Sequence, residues 1–484
     1  MSARLAALTA FTAASLGLVV VACGGSEAAA PESPVVAGSS GTSGGNVSTV
    51  TFHRDVEPIL QKSCQSCHVA GGIAPFPLVS YADAKPQAAS IVDMTQQRIM
   101  PPWGAHDTAD CKPTRPWKDD LRLSEAELAT LDAWSKAGAP EGDPKDAPPP
   151  LAKVGRDLAG AQLALKSETG YAMSASSDQL RCFVLDPKLA KEVYVNAMQV
   201  VPERPEVVHH VLVFADPKGE SRALADANGQ YECFGGTKVS GATLMTAWAP
   251  GSVANELPAD VGMPLEAGSL VVMQVHYHSA PGASAPADRT TVQLRYTETA
   301  PKRLAYTQLV GNFRGTLPAG LGGLEIGPND GAEPRFEIPP NVKDHTETMK
   351  LVMPPTLRGK PVSTFKLLST GGHMHYVGVK EEVKLTRSAP SAAGGPAEEC
   401  LLSIPRWDFD WQRGYTYGVP VDQLPTVAPG DVLRVKCTYD NTMGNPKMGR
   451  ALKESGLTSP QIVTLGESTL DEMCLASLVF VYEP

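Results

Sequence analysis

The sequence predicts a multidomain protein in which a small all-α domain precedes two antiparallel β-sandwich domains of jelly-roll-like type. The chain has 484 residues, too many for one ordinary core and enough for about three domains. Up to about residue 143, apolar residues recur at the three- and four-residue spacing of a helix. Beyond residue 160, the chain consists of short β-branched runs broken by Pro- and Gly-rich turns. With 52 acidic and 42 basic residues, the formal charge of −10 argues against nucleic acid as a partner.

The first 23 residues resemble a bacterial lipoprotein signal peptide. Arg4 is followed by an apolar stretch to Val21, and the small Ala22 precedes Cys23, which would become the lipidated first residue of the mature chain. A retained membrane-anchor helix is the alternative, although the stretch is short for a bilayer span. Residues 24–49 are rich in Gly, Ser, Ala and Pro, as in a flexible linker. We therefore expect an exported lipoprotein, anchored to a membrane of the bacterial cell envelope.

Residues 50–143 contain the pattern of a small helical cytochrome. Cys64-x-x-Cys67-His68 is the c-type haem attachment pattern. Two thiols add to two vinyl groups of the haem, and the next residue supplies an axial imidazole. A bare Cys-x-x-Cys pair would also suit a redox dithiol or half of a zinc site. The adjacent histidine, the exported context and an upstream apolar helix favour haem.

The sixth haem ligand and the end of this domain have weaker signals. The segment around Met100 resembles the part of small cytochromes c that carries the distal methionine, so Met100 is the candidate ligand and Met94 a weaker one. Further on, Ser124 and Glu127 have capping-box spacing before an apolar stripe. The stripe consists of Leu128, Leu131 and Trp134. Residues 144–159 then form a second linker.

The rest of the chain predicts two sandwiches, at residues 160–300 and 301–484. The strand-like runs are "KEVYVNAMQVV", "HHVLVF", "SLVVMQVHYH" and "DVLRVKCTYDN". Short strands at close spacing, without helical patterns between them, are typical of antiparallel sandwiches. Six of the ten histidines cluster in such strand-like runs. These histidines are the candidate metal ligands.

In "GGHMHYVG", two histidines are separated by one methionine. Side chains alternate along a strand, so His373 and His375 face one side and Met374 faces the other. Met374 is therefore a poor third ligand, and a metal shared by the two imidazoles needs a ligand from elsewhere in the chain.

A second histidine set includes an adjacent pair. His209 and His210 would face opposite sides of a regular strand, so binding one metal requires a bulge or the use of different ring nitrogens. "VHYH" offers His276 and His278 on one face, and nothing local distinguishes them. Taken alone, all these histidines could instead be satisfied core residues of a β-protein.

Six motifs resemble, in order, those of the copper type II, ascorbate-dependent monooxygenases, the family of peptidylglycine α-hydroxylating and dopamine β-monooxygenases. They are "VVHHVLVF", "TAWAPG", "VVMQVHYH", "GGHMH", "CTYDN" and "DEMCLASLVFVY". The resemblance implies that His209, His210 and His276 hold an electron-transfer copper, with His278 a bystander. It implies that His373, His375 and Met473 hold the copper where oxygen binds and substrate is attacked. A soft thioether beside two imidazoles independently favours copper(I) over zinc.

The cysteines suit an exported protein. Apart from Cys23 and the haem pair, six remain, an even number that indicates disulfides. These are Cys111, Cys182, Cys233, Cys400, Cys437 and Cys474. The family resemblance implies a bridge between Cys437 and Cys474. Cys111, the spare cysteine of the cytochrome, is either free or tied to the oxygenase, and the other pairings stay open.

The sequence departs from the family at the substrate site. Peptidylglycine enzymes hold a substrate carboxylate with an arginine, an asparagine and a tyrosine, and the matching positions here are Gly371, Leu475 and Ser477. Without a guanidinium fork, an apolar or neutral substrate is the better expectation.

We therefore expect a monooxygenase that hydroxylates a C–H bond with O2, using two coppers and one covalently bound haem. Electrons would come from an ascorbate-like reductant or a periplasmic redox protein, and the haem would relay them toward the first copper. Covalent fusion favours this relay because it raises the effective concentration of the donor. Alternatively, the haem only senses redox state or oxygen. The alternative function is a non-catalytic electron-transfer or copper-handling lipoprotein.

Overall fold

The computed structural model describes residues 49–70, 74–151, 157–173, 179–233, 236–249, 252–277, 287–311, 321–357, 359–389, 396–466 and 470–484. The predicted signal segment with Cys23, the predicted linker up to residue 48 and His278 lie outside these ranges. Within them, no helix has both the length and the apolar character needed to cross a membrane.

Helices are short and lie mostly before residue 147. The α-helices are α1 (Glu57–Ser63), α2 (Tyr81–Ala84), α3 (Ala88–Gln96), α4 (Glu125–Lys136) and α5 (Met448–Glu454). A π-helical turn spans Phe52–Val56, and 3-10 turns span Lys85–Gln87, Pro144–Asp146, Glu220–Ala223, Phe409–Trp411 and Val421–Gln423.

The helical module, defined as residues 50–143, has an apolar core of its own. In α4, Ser124 and Glu127 form the predicted capping box. The predicted apolar stripe of α4 is buried in this core with Phe52 and Leu60. The signals for this helix are local in sequence, and the structure confirms them.

The first half of the β region forms two facing layers. One five-stranded sheet has the order β5-β2-β9-β4-β6. Its strands are β2 (Gln179–Leu185), β4 (Val208–Asp216), β5 (Gln230–Glu232), β6 (Thr243–Trp248) and β9 (Leu270–Tyr277). The opposing layer has the order β1-β10-β3-β8, and β7 also pairs with β3. It comprises β1 (Leu163–Lys166), β3 (Val193–Val201), β7 (Asn255–Glu256), β8 (Val261–Leu265) and β10 (Thr291–Thr297).

The second half repeats this arrangement. A five-stranded sheet has the order β12-β14-β22-β18-β19. Its strands are β12 (Gly322–Leu324), β14 (Lys343–Val352), β18 (Gly378–Thr386), β19 (Glu398–Ile404) and β22 (Val432–Asp440). The facing layer has the order β11-β24-β17-β20, and β21 also pairs with β17. Its strands are β11 (Arg303–Gly311), β17 (Phe365–His373), β20 (Gly414–Thr416), β21 (Thr426–Val427) and β24 (Leu475–Tyr482). Two small ribbons pair β13 (Glu337–Ile338) with β23 (Val463–Thr464), and β15 (Thr356–Leu357) with β16 (Lys360–Pro361).

The two halves are joined at the backbone level. β8 and β11 pair in parallel, with Arg303 opposite Val261, and this pairing merges the two facing layers into one ten-stranded sheet. One apolar core runs through both halves. The predominantly antiparallel strands agree with the prediction of β-sandwich domains.

The stretch between α3 and α4 packs on the second sandwich as well as on its own module. Trp103 and Trp117 are buried in the sandwich core. Trp117 stacks on Tyr417 with ring centroids 4.8 Å apart, and the backbones of these two residues form a β-bridge. From the sequence, this stretch was predicted to belong to the helical module alone. The residues around the two tryptophans do not indicate that either one packs against a residue far along the chain.

Candidate metal centres

Three histidines meet where β4 runs beside β9. His209 and His210 lie at the start of β4, and His276 lies near the end of β9. The strand register shifts by one residue between Val208 and His210, so that His210 stands opposite His276. His209 is thus the extra residue of a β-bulge. A bulge is one of the two arrangements that the sequence allowed for bringing adjacent histidines to one metal.

The ligand geometry of this first cluster is compact. One ligand atom from each histidine lies within 4.8 Å of the others. The Nδ1 atoms of His209 and His210 are 3.2 Å apart, and the three ring centroids are 4.8 to 5.3 Å apart. Imidazoles suit copper, zinc, nickel and iron, and copper(II) binds most tightly among the common divalent ions. The donor set therefore fits copper.

The second histidine pair lies at the end of β17. The rings of His373 and His375 are 5.2 Å apart, with an angle of 85° between their planes. Met374, which lies between them, is fully buried and belongs to the main core. Strand alternation therefore separates the two imidazoles from this thioether, as the sequence predicts.

Met473 precedes the strand that pairs with β17. In the antiparallel pair of β17 and β24, His373 stands opposite Leu475. The backbone N–H groups of His375 and Met473 donate to the same oxygen of Glu472, so the two segments lie side by side. Met473 is only 7 % exposed. Met473 stays the candidate third ligand that the family resemblance implies.

The Nδ1 atom of each imidazole in the second pair has a fixed partner. His373 Nδ1 donates to Gln412 Oε1 at 2.6 Å, and His375 Nδ1 donates to the Asp471 carbonyl at 2.9 Å. Both partners are acceptors, so each neutral ring presents the lone pair of Nε2. Burial lowers the pKa of His373, against the opposing effect of the Gln412 hydrogen bond. Neutral, oriented imidazoles are the form that binds a metal.

A buried carboxyl group connects the two chain segments of this site. One oxygen of Glu472 accepts the backbone N–H groups of His375 at 2.8 Å and Met473 at 3.0 Å. The other accepts those of Val377 at 2.9 Å and Gly378 at 3.1 Å. Burial raises the pKa of Glu472 to about 8, although the four N–H groups oppose this shift. Glu472 thus holds the His-Met-His segment against the segment that carries Met473.

One aromatic ring contacts a histidine of each set. The ring of Phe409 stacks on His209 at 6.4 Å between centroids and lies nearly perpendicular to the His375 ring at 6.2 Å. It also contacts Tyr376 at 4.3 Å. Phe409 is therefore a shared neighbour of the first and second histidine sets.

The helical module presents the residues of the haem attachment pattern. Cys64 and Cys67 are thiols, whereas the other cysteines of the described residues are in disulfides. His68 Nδ1 donates to the Phe76 carbonyl at 3.0 Å, which leaves Nε2 as the potential axial ligand. Burial raises the pKa of Cys64 to about 12. Two unpaired thiols beside an oriented imidazole fit a covalently attached haem.

Met100, the candidate distal ligand, follows α3. Its backbone N–H donates to the Met94 carbonyl at 3.1 Å. Its side chain lines a small cavity together with Trp103 and His106. These contacts do not join it to His68, so the role of Met100, and that of Met94, stays a prediction.

Three disulfides are present among the described residues. Cys437 is bonded to Cys474, the pair that the family resemblance implies, and this bridge lies next to Met473. Cys111 is bonded to Cys400, so the helical module is covalently tied to the second sandwich. The remaining bridge joins Cys182 to Cys233 in the first sandwich.

Position 371 is closely packed. A Cβ atom on Gly371 would lie 3.1 Å from Ser477 Oγ and 3.2 Å from Gly414 Cα. Gly414 belongs to β20, which pairs with β17 here. A side chain at position 371 would therefore require its neighbours to shift by a few tenths of an ångström.

Three residues that contact the second site were not predicted from the sequence. Glu472 is adjacent to Met473, and its position beside a candidate ligand was an available signal. Gln412 and Phe409 come from a loop 34 or more residues away from the histidine pair they contact. Nothing in their local sequence distinguishes them.

Comparison with known proteins gives one family match. Residues 169–284 match the family described as copper type II ascorbate-dependent monooxygenase, N-terminal domain. This segment contains the first histidine cluster. No curated protein matches the chain.

Similarity to solved structures is weak. The major capsid protein P2 of bacteriophage PM2 aligns over 66 % of this chain and 97 % of its own, with 10 % identity and a TM-score of 0.24. The VP2 subviral particle of infectious bursal disease virus aligns over 66 % of this chain and 72 % of its own, with 7 % identity and a TM-score of 0.17. At these scores the similarities support no conclusion about fold or function.

Proposed function

We propose, on the premise that residues 169–284 form a copper type II monooxygenase N-terminal domain, that this chain is a copper-dependent monooxygenase that hydroxylates a C–H bond with O2. The observation that carries the proposal is the convergence of His209, His210 and His276 inside the matched segment. The second histidine pair lies beyond it, and one Glu472 oxygen joins the backbone of His375 to that of Met473.

The two centres have different donor sets and therefore different roles. His209, His210 and His276 would hold an electron-transfer copper. His373, His375 and Met473 would hold the catalytic copper, because a thioether stabilises the cuprous state that reacts with oxygen. When bound, the metals supply oxygen activation and the second electron. The chain supplies ligand orientation, through the hydrogen bonds of Gln412 and Asp471 to the Nδ1 atoms.

The substrate group attacked is apolar or neutral in this proposal. Position 371 carries glycine in place of a carboxylate-binding arginine. The Phe409 ring presents aromatic surface beside His375, and the Tyr376 ring packs against Phe409. Such surface favours contact with hydrocarbon over contact with an unpaired carboxylate. A C-terminal glycine of a peptide is accordingly a poor substrate.

Electrons enter through a c-type haem attached at Cys64 and Cys67, with His68 as an axial ligand and Met100 as the candidate second one. The free thiols and the fixed His68 ring support this part of the proposal. An ascorbate-like reductant or a periplasmic redox protein would supply the electrons. The chain would act outside the cytoplasm, anchored to a cell-envelope membrane through lipidated Cys23.

The alternative is an electron-transfer or copper-handling lipoprotein without catalysis. Gly371, at the position where peptidylglycine enzymes have a substrate-binding arginine, favours this alternative. Met473→Ala separates the two functions. A monooxygenase loses product formation while its haem absorbance persists. Met443→Ala, at a methionine that is 60 % exposed, is the matched control and keeps its activity.

The first test is the metal content of the matured protein, expressed as copper per haem. Two coppers per haem agree with the paired centres and justify screening apolar compounds for oxygen-dependent hydroxylation. Zero copper, or one zinc, contradicts the proposal. Turnover that survives Met473→Ala contradicts the assignment of the catalytic centre.

A further inference from the structure

One loop of the second sandwich connects the helical module with the second histidine pair. This loop, residues 406–413, lies between β19 and β20 and is called the bridging segment below. Ion pairs hold it to Lys447, which precedes α5, and to Arg450 in α5. Lys447 bonds Asp408 at 2.8 Å and Asp410 at 2.5 Å, and Arg450 bonds Asp410 at 3.0 Å. The segment is therefore held in place independently of the helical module.

The two ends of the bridging segment contact the chain on either side of Met100. Arg406 donates to the Arg98 carbonyl at 2.6 Å and to the Gln97 carbonyl at 3.3 Å. The Arg413 guanidinium lies over the Trp103 ring at 5.0 Å. Its Nη1 also donates to the Pro102 carbonyl at 3.4 Å. These contacts join the bridging segment to residues 97–103.

The middle of the bridging segment contacts the second centre through hydrogen bonds. Trp407 Nε1 donates to the His375 carbonyl at 3.2 Å. Gln412 Oε1 accepts from His373 Nδ1 at 2.6 Å. Toward the first centre, the contact of the segment is the face of Phe409 on His209, at 6.4 Å between ring centroids. The segment is thus hydrogen-bonded to the imidazole of His373 and to the backbone carbonyl of His375, and it has an aromatic contact with the first centre.

We propose that the bridging segment carries electrons from the helical module directly to the second metal centre, without passage through the first. This inference rests on the proposed function, because it requires a copper at His373 and His375 and a haem at Cys64 and Cys67 with Met100 as its second axial ligand. Electron tunnelling weakens steeply across gaps, and it is favoured along covalent bonds and hydrogen bonds. From Arg98, such a path runs through Arg406 and Trp407 to His375.

The step is a single-electron transfer. A haem held by Cys64, Cys67 and His68 would give up one electron and pass from ferrous to ferric, and a copper held by His373 and His375 would accept it and pass from cupric to cuprous. No bond forms or breaks in this step. The first centre would then hold an electron of its own and would not be an obligatory intermediate between the haem and the second centre. The copper of the second centre should therefore be reducible when the first centre is absent.

The test removes the first centre in the matured protein by combining His209→Ala with His210→Ala. The oxidised protein, loaded with Cu(II), is mixed without oxygen with dithionite sufficient for the haem and one copper. Haem absorbance is followed by stopped flow, and the cupric signal by freeze-quench electron paramagnetic resonance. We expect the cupric signal of the second centre to disappear at the same rate as in the unmodified protein. A signal that persists beside fully reduced haem would overturn the route.

A second variant tests the path itself. Trp407→Phe removes the Nε1–H donor and keeps an aromatic ring, so the transfer to the second centre should slow severalfold, with unchanged resting haem and cupric spectra. Trp411→Phe is the matched control, because Trp411 lies in the same segment and is 37 % exposed. Equal rates for the two variants would overturn the role of Trp407.

Failure of the proposed function has a different signature from failure of the route. It appears in the resting unmodified protein as a missing haem band or missing cupric signal, and it overturns both proposals. If both spectra are present and only the transfer fails in the double variant, the route alone is wrong.

Discussion

The backbone N–H of His375 donates to a carboxyl oxygen of Glu472 at 2.8 Å, and the same oxygen accepts the N–H of Met473 at 3.0 Å. One buried carboxyl group therefore sets the distance between the backbone positions of two candidate ligands. The other carboxyl oxygen of Glu472 accepts the backbone N–H groups of Val377 and Gly378. The relative positions of the two ligand-bearing segments in the second centre therefore depend on the Glu472 side chain.

Glu472→Gln should weaken the second centre selectively. The amide NH2 replaces one acceptor and faces backbone N–H donors, so about 1–3 kcal/mol of unfolding free energy should be lost. Loss of a supporting group around a metal site also lowers metal affinity about 10–100-fold. Denaturant unfolding and copper titration measure the two effects.

Glu398→Gln, at a side chain 62 % exposed, is the control for Glu472→Gln. It should change neither quantity. Equal weakening of both copper centres by Glu472→Gln would show that the carboxyl group supports the whole fold rather than this centre.

Glu472 should also make the stability of the copper-free protein depend on pH. Burial raises its folded-state pKa to about 8 from the ordinary 4.5. Between these values the folded protein holds a proton that the unfolded chain releases, so this stabilisation is complete below pH 4.5 and is lost as the pH rises through 8. The free energy of unfolding of the unmodified protein should therefore fall over this range, relative to Glu472→Gln. Parallel pH profiles for the two proteins would contradict the raised pKa.

The sequence predicted the parts of the centres that depend on local rules. Strand alternation is enough to set His373 and His375 on one face and Met374 in the core. For His209 and His210 the same rule gave two alternatives, because a bulge depends on the pairing of β4 with β9 and leaves no mark in the dipeptide. The structure shows the bulge.

The long-range contacts had no local signal. Phe409 and Gln412 contact the centres because β20 pairs with β17, and that pairing is set by the whole sandwich. The same holds for Trp103 and Trp117, which leave the helical module for a partner about 300 residues away. Cys111 had two possible states in the sequence, and only the fold brings it to Cys400.

Phe409→Ala should expose the histidines of both centres to more water. The ring contacts His209 and His375 and covers part of each imidazole, so its removal lets water approach them more closely. We expect product formed per oxygen consumed to fall, with both coppers retained. An oxygen electrode combined with product analysis measures this ratio. Trp411→Ala, in the same turn, is the control, and an unchanged ratio for Phe409→Ala would show that the ring has only a packing role.

The Cys111–Cys400 bridge should stabilise the docking of the helical module. It closes a loop of 289 residues, and a loop longer than 100 residues corresponds to roughly 5 kcal/mol in the chain-entropy view, which is an upper bound in practice. In Cys111→Ser/Cys400→Ser, only non-covalent contacts hold the module, among them the Trp117–Tyr417 stack, the Arg406 hydrogen bonds and the Arg115–Glu399 ion pair. Limited proteolysis should therefore cut residues 104–118 faster than in the unmodified protein, while the sandwich core stays resistant.

The matched control is Cys182→Ser/Cys233→Ser, which removes a bridge within the first sandwich and should leave cleavage of this stretch unchanged. Equal cleavage of residues 104–118 in both double variants would mean that the packing of Trp103 and Trp117 is sufficient to hold the module in place.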